Sequence, residues 1–348
     1  MNLCQQSFFD KYEKDLDEII ELQDMIIQCN DNDHQISVSQ IPAKFLSSKF
    51  EFSKLITTIQ IALFARHPFY DSYEKLIAEL LPYIKNFFNS DEIYYFSILN
   101  QIKLFFYRNG LITIDTIIEK AQIHKSVSYL FSYEIYQERI DDFNNFFQSK
   151  ESFLSEVGFS DFESFLEFRE QWTNNNPVTI LIREDDADKL QEYIAKTNLD
   201  YEHEIPYSLF EDLSCFFKKK DMPKMIDYAA FYGSVNVFKY LIMNNSKVTE
   251  KTMEYAVYGG SYEIIHILEN LSCPTTNALE ASIRIHNNEL YDYFINSVGL
   301  QHTDKTMIRA VVNYNIKVIK EILSNNEYYT IFPKISDDSG TSLLGISI

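Results

Sequence analysis

Apolar residues near the start of the chain recur at spacings of three and four. Phe9, Tyr12, Leu16, Ile19, Ile20, Ile26 and Ile27 mark one face of a helix over about 8–29. Asp71 or Ser72 is placed to cap a helix running to Leu80, which Pro82 should break or kink. Ser90, with Asp91 and Glu92 after it, predicts a helix to Asn109, stopped by Gly110 and burying Ile93, Phe96, Ile98, Ile102, Phe105 and Phe106. Further helices are predicted near 114–122, 127–148 and 162–172. Residues 1–172 have no clean period and no alternating strand runs, so they read as an irregular all-helical domain.

The polar run Thr173-Asn174-Asn175-Asn176-Pro177 predicts a boundary, with a second domain over 177–348. There the pattern becomes periodic. Ala229-Ala230-Phe231-Tyr232-Gly233-Ser234-Val235-Asn236-Val237-Phe238-Lys239-Tyr240-Leu241 is matched in kind by the run from Ala256 through Gly260 and Ile264 to Leu268. Looser copies run from Ser282 to Phe294 and from Ala310 to Ile322, so successive starts lie 27, 26 and 28 residues apart. A period in this range predicts stacked helix pairs, none of which can bury its apolar face alone. Ile182–Ile194 reads as a degenerate first copy, followed by an insertion that contains Pro206 and Lys218-Lys219-Lys220.

Each copy assigns its residues distinct tasks. Ala229, Ala256 and Ala310 stand where the first helix presses on its neighbours, and a larger side chain there would cost about 1–3 kcal/mol through overpacking. Gly233 and Gly260 fall where that helix must end in a left-handed residue; His286 and Tyr314 occupy the slot in the looser copies. The second helix offers Val237 and Leu241, Ile264 and Leu268, Leu290 and Phe294, and Val318 and Ile322, pairs four apart on one face. Thr249, Thr275 and Thr303 each precede the small residue by seven and are candidate N-caps.

These residues resemble the helical half of the ankyrin repeat, A-A-x-x-G-x-x-x-V-x-x-L-L, which Ala229 to Ile242 follows closely. The T-P-L-H opening of that family is absent, and units near 27 residues are shorter than the usual period of about 33. The shortening lies between Val248 and Ala256, where ordinary ankyrin stacks build β-hairpin fingers. The chain thus looks like a divergent ankyrin-like subset of unicellular eukaryotes, commonly filed as a domain of unknown function behind a helical N-terminal region. The resemblance covers 225–323 most clearly and implies an all-α fold: an irregular helical domain, then a helix-pair solenoid with short or absent fingers. It also implies protein binding. Gly340-Thr341-Ser342-Leu343-Leu344-Gly345-Ile346 reads as the start of one more, unfinished copy, whose open edge offers a route to self-association.

Composition narrows the function classes. The 348 residues, 46% hydrophobic and 15% aromatic, fill two cores. A formal charge of −20 repels phosphate backbones, so nucleic acid is not an expected partner, and it would steer a basic protein inward. Only 8 glycines are present, too few and too scattered for a GxGxxG turn or a P-loop. Four scattered cysteines, Cys4, Cys29, Cys215 and Cys273, form no CxxC and fit a reducing compartment. With no signal-like N-terminus and no membrane-span-length apolar run, the expectation is a soluble cytoplasmic protein, with the nucleus as the alternative compartment.

Catalytic and metal signatures are missing from the sequence. The seven histidines have no HExxH spacing, and neither Glu184-Asp185-Asp186-Asp188 nor Asp31-Asn32-Asp33 carries the Gly that a calcium loop needs. No G-x-S-x-G elbow exists. The reading is therefore a non-catalytic scaffold, with no cofactor and no metal, that binds another protein through the concave face of the solenoid. Phe231, Tyr232, Tyr258 and Arg284, which follow the small residues, are the candidate contacts, because aromatics and Arg most often anchor interfaces. Two rivals remain: an enzyme sited in the N-terminal domain, with repeats serving only localisation, and a purely structural, self-associating stack.

Overall fold

The structure is a computed structural model and describes residues 3–27, 36–65, 70–97, 99–208, 210–211 and 222–324. Among these the fold is all helical and solenoid-like, with no strand; one isolated bridge pairs Glu204 with Lys224. The chain divides into two compact units that interleave in sequence. The first contains 1–83, 230–233 and 248–348; the second contains 84–229 and 234–247. The boundary expected at 173–177 falls inside the second.

The first unit holds α1 (Leu3–Ile27), α2 (Lys49–Ala65) and most of α3 (Tyr70–Phe87). Ile19, Leu22 and Ile26 of α1, Phe52, Leu55 and Ile59 of α2, and Tyr73, Leu76 and Leu80 of α3 are buried, which explains their three-and-four spacing. The Tyr73 hydroxyl donates to the carbonyl of Ile26 at 3.1 Å. Of the break or kink expected at Pro82, the break does not occur: α3 runs on to Phe87, its buried face through Leu80 holding it despite the missing N–H. The caps expected at Asp71 or Ser72 lie outside the described side chains, as the Asp31-Asn32-Asp33 run lies outside the described residues.

In the second unit, α4 (Ser90–Phe96), α5 (Asn100–Arg108), α6 (Ile114–Ile123), α7 (Lys125–Leu130), α8 (Ser132–Glu138), α9 (Ile140–Phe147), α10 (Lys150–Val157) and α11 (Phe162–Arg169) are mostly two turns long. Two expected helices prove to be divided. The 90–109 segment is capped by Asn89, whose side chain and that of Glu92 form a capping box, and it breaks between Phe96 and Asn100. The 127–148 segment is three helices, turning at Phe131 and Arg139.

A continuous helix over 22 residues would be about 33 Å long. Folding it back instead lets Phe143, Phe147, Phe153 and Phe162 pack with ring centroids 4.8–6.3 Å apart. In the same unit Arg169, fully buried, donates to both carboxylate oxygens of Glu134 at 2.8 Å and to the Leu130 carbonyl at 2.8 Å.

The periodic region follows as α12 (Pro177–Arg183), α13 (Ala187–Thr197), α14 (Met225–Tyr232) and α15 (Val235–Met243), then α16 (Glu250–Tyr258), α17 (Tyr262–Asn270), α18 (Ala278–Arg284), α19 (Asn288–Asn296), α20 (Asp304–Val312) and α21 (Ile316–Ser324). The degenerate first copy is a helix pair, α12 and α13. Its turn residue Asp185 is left-handed, like Gly233, Gly260, His286 and Tyr314, with φ between 52° and 67° at all five. Ala229, Ala256, Ser282 and Ala310 and all four second-helix pairs are fully buried. Lys218-Lys219-Lys220 and 340–346 lie outside the described residues.

Two of the three expected threonine caps form. Thr249 and Thr303 each exchange bonds with the threonine three residues on, Thr252 and Thr306. Thr275 does not cap α18; the helix starts after Asn277, and Thr275 only offers its carbonyl to the N–H of Ala278. One residue in the first unit decides how closely two helices of neighbouring repeats approach. A Cβ on Gly259 would stand 2.6 Å from the Ala230 carbonyl oxygen and 2.5 Å from that of Phe231, so only glycine lets the last turn of α14 lie against α16.

Candidate functional site

The register that begins at the buried small residue places Phe231, Tyr258 and Arg284 two positions after it, at the ends of α14, α16 and α18. Tyr232 follows Phe231, and their rings meet edge to face at 5.3 Å. Both are half-buried, as is Arg284. Tyr258 is different: it is 8% exposed, donates to Glu254 Oε1 at 2.5 Å and accepts from Arg284 Nη1 at 3.1 Å. Its ring also lies 5.6 Å from the guanidinium carbon. Burial pushes the Tyr258 hydroxyl well above the usual phenol range. Tyr258 thus spends its surface on the neighbouring unit and orients Arg284, whereas Phe231, Tyr232 and Arg284 keep part of theirs open.

The same register brings further charge to this face, which sequence reading did not single out. Glu254 and Glu280 stand two positions before the small residue, each four residues from Tyr258 or Arg284 on its own helix. Burial raises the Glu280 carboxyl above its ordinary value, and the nearby Lys305 and Arg309 of α20 oppose that rise. Lys305 and Arg309 are exposed, and they make no ion pair among the described residues. The face therefore alternates acid, aromatic and cation across α16, α18 and α20. The signal that could have found it is the Glu-x-x-x-Tyr and Glu-x-x-x-Arg spacing at one register in two copies.

Two histidines of the periodic region, His286 and His302, bond to residues of other elements. His286, 3% exposed, bonds through Nε2 to the Asn313 carbonyl at 2.7 Å. Burial lowers its pKa to about 4, so it is neutral and donates that bond. His302 bonds to the Tyr291 hydroxyl at 2.7 Å, and burial lowers its pKa too. No group of three or more His, Cys, Asp or Glu side chains among the described residues is arranged to hold a metal ion.

A cavity of about 600 Å³ opens in the second unit. Phe159, Phe168 and Phe210 wall it, with Tyr129, Lys125 and Asn176 among the polar groups. The charges beside it are held in their ordinary states. Bonds to Tyr129 and Glu156 raise Lys125, and the Tyr129 hydroxyl and Lys125 lower Glu156. A general base or acid working near neutrality needs the opposite shifts, a lowered lysine or a raised carboxyl.

No helix among the described residues is long and apolar enough to cross a membrane. Neither a curated protein nor a solved structure matches the chain. Over residues 243–317, which span α16 to α20 with Tyr258 and Arg284 but not Phe231 and Tyr232, the chain is similar to the family described as Domain of unknown function (DUF3447).

Proposed function

We propose that this chain is a non-catalytic docking protein, an ankyrin-like stack of helix pairs that binds another protein across the first-helix face of α14, α16 and α18. The observation that carries the reading is the single register shared by Phe231, Tyr258 and Arg284, with Tyr258 bonded to Arg284 so that the guanidinium is held for a ligand. Arg in a fixed fork beside half-open aromatics is the composition of an interface anchor. Glu254, Glu280, Lys305 and Arg309 around it favour a mixed-charge protein segment over a polyanion. The overall charge of −20 works in the same sense, by repelling nucleic acid and steering basic surfaces inward.

The test is capture of partners from the native cell by the full chain and by its Tyr232→Ala and Arg284→Ala variants. Each truncation should weaken capture about tenfold, roughly 1.4 kcal/mol, while helical content is kept. Undiminished capture by both variants refutes this face. A second reading rests on the cavity beside Tyr129 and Phe168: an enzyme or ligand-binding module in which the repeats only localise. The ordinary charge states of Lys125 and Glu156 support the non-catalytic alternative.

A further inference from the structure

At two junctions, successive helix pairs are joined by polar bonds at the left-handed turn between paired helices. In the second unit the Asp185 carboxylate accepts from the backbone N–H of Asn236 at 3.1 Å and of Val237 at 2.9 Å. In the first unit His286 donates to the Asn313 carbonyl, and Asn315 Nδ2 donates to the Ile283 carbonyl at 3.2 Å. The turn at Tyr314 belongs to the last described pair, α20 and α21, and it is closed in the same way by a residue from the far end of the sequence. Gln23 of α1, 3% exposed, donates through Nε2 to the Tyr314 carbonyl at 2.6 Å and accepts from the Ile316 N–H at 3.3 Å.

Packing and charge repeat the match. Ile19, Leu22 and Ile26 of α1 are buried, as are Ile316, Val318 and Ile322 of α21, and the two helices pack together. Lys320 Nζ of α21 lies 2.6 Å from Asp17 and 3.6 Å from Glu13, two carboxylates one turn apart on α1. A helix-pair stack needs a terminal element whose inner face is apolar and whose outer face is polar, or its last unit keeps an open apolar edge. Over residues 13–27 of α1 the exposed positions are charged and the buried ones are Ile, Leu and the bonding Gln23.

We propose that α1, backed by α2, is the terminal cap of the repeat stack, supplied from the N-terminus, and that it keeps the apolar edge of α21 from pairing with a second copy of the chain. Gln23 does at this end what Asp185 and His286 do at inner junctions. Self-association through α21 is thereby blocked by residues some 300 positions away in the sequence. The observation is independent of the docking face proposed above, and its failure would leave that face standing.

Full-length variants test it. In Gln23→Ala the Ile316 amide loses its acceptor and should exchange hydrogen at least about tenfold faster, with the Ile265 amide, bonded to the Ser261 carbonyl, unchanged. Asp17→Lys combined with Gln23→Ala should loosen α1 and make the sedimentation mass rise with concentration. Should that double variant fail to fold, the pair Asp17→Lys and Asp17→Lys/Lys320→Asp decides instead. The single change should promote self-association, and the restored charge pair should reverse it. Equal exchange at Ile316 in wild type and Gln23→Ala, or monomers at every concentration in both Asp17→Lys and Asp17→Lys/Gln23→Ala, overturns the proposal.

Discussion

The buried His286 makes the stack sensitive to acid over a defined window. An exposed histidine titrates near 6.5, whereas burial holds His286 at about 4, with the bond to Asn313 opposing the shift only in part. The unfolded chain therefore binds a proton that the folded chain refuses, and stability is lost as pH falls from about 6.5 towards 4. Below that both states are protonated and the loss stops. A gap of about 2.5 units corresponds to roughly 3 kcal/mol, of which about 2 kcal/mol is lost between pH 6.5 and 5.

The perturbation is His286→Asn, which tolerates the left-handed turn at φ 52° but carries no titrating group. At pH 7 it should be less stable than wild type by about 1–2 kcal/mol, through the lost bond and a small void. Between pH 7 and 5 the wild type should lose about 2 kcal/mol more than the variant. Carboxylates and His302 titrate in both proteins and cancel in that difference. Urea unfolding followed by circular dichroism at pH 7, 6 and 5 measures it, and parallel pH profiles for the two proteins would refute the reasoning.

Two further outcomes follow from the turns and caps. Gly259→Ala should destabilise by more than 2 kcal/mol, since its Cβ meets two backbone carbonyls that cannot swing away. Gly260→Ala should cost about 1–2 kcal/mol for its positive φ alone, because nothing lies within 3.9 Å of the added atom. Thermal unfolding of the two variants ranks them, and the opposite order would show that α14 and α16 are not in close contact at Gly259. Thr249→Ala should cost about 1 kcal/mol by removing a capping box, and Thr275→Ala only a few tenths; equal losses in denaturant titrations would contradict the assigned caps.

Local sequence carried the periodic half because each of its signals acts within one turn or one helix. A small residue, a left-handed slot and an apolar pair four apart suffice to draw a helix pair, so Ala229, Gly233, Leu241, Ala256, Gly260, Leu268, Ala310 and Ile322 could be given structural roles before any coordinates. Thr275 misled because its register matched while Pro274 and Asn277 shifted the helix start. The 127–148 segment misled because its helical period continues through Phe131 and Arg139, and only the demand to gather the phenylalanine rings breaks it. Of the candidate contacts, Phe231 and Tyr232 keep open surface, but the burial of Tyr258 beneath Arg284 depends on the distance between units, which no single repeat encodes.

Periodicity by itself determined that helix pairs form, where they turn and which side chains they bury, since those are short-range consequences of residue size, φ preference and spacing. Tertiary structure alone decided that Gln23 meets Tyr314, that Arg169 finds Glu134, and that the compact units interleave along the chain. Such contacts join residues tens to hundreds of positions apart. Their partners are chosen by which apolar edges remain open once the local elements exist, and an open edge is a property of the assembled stack.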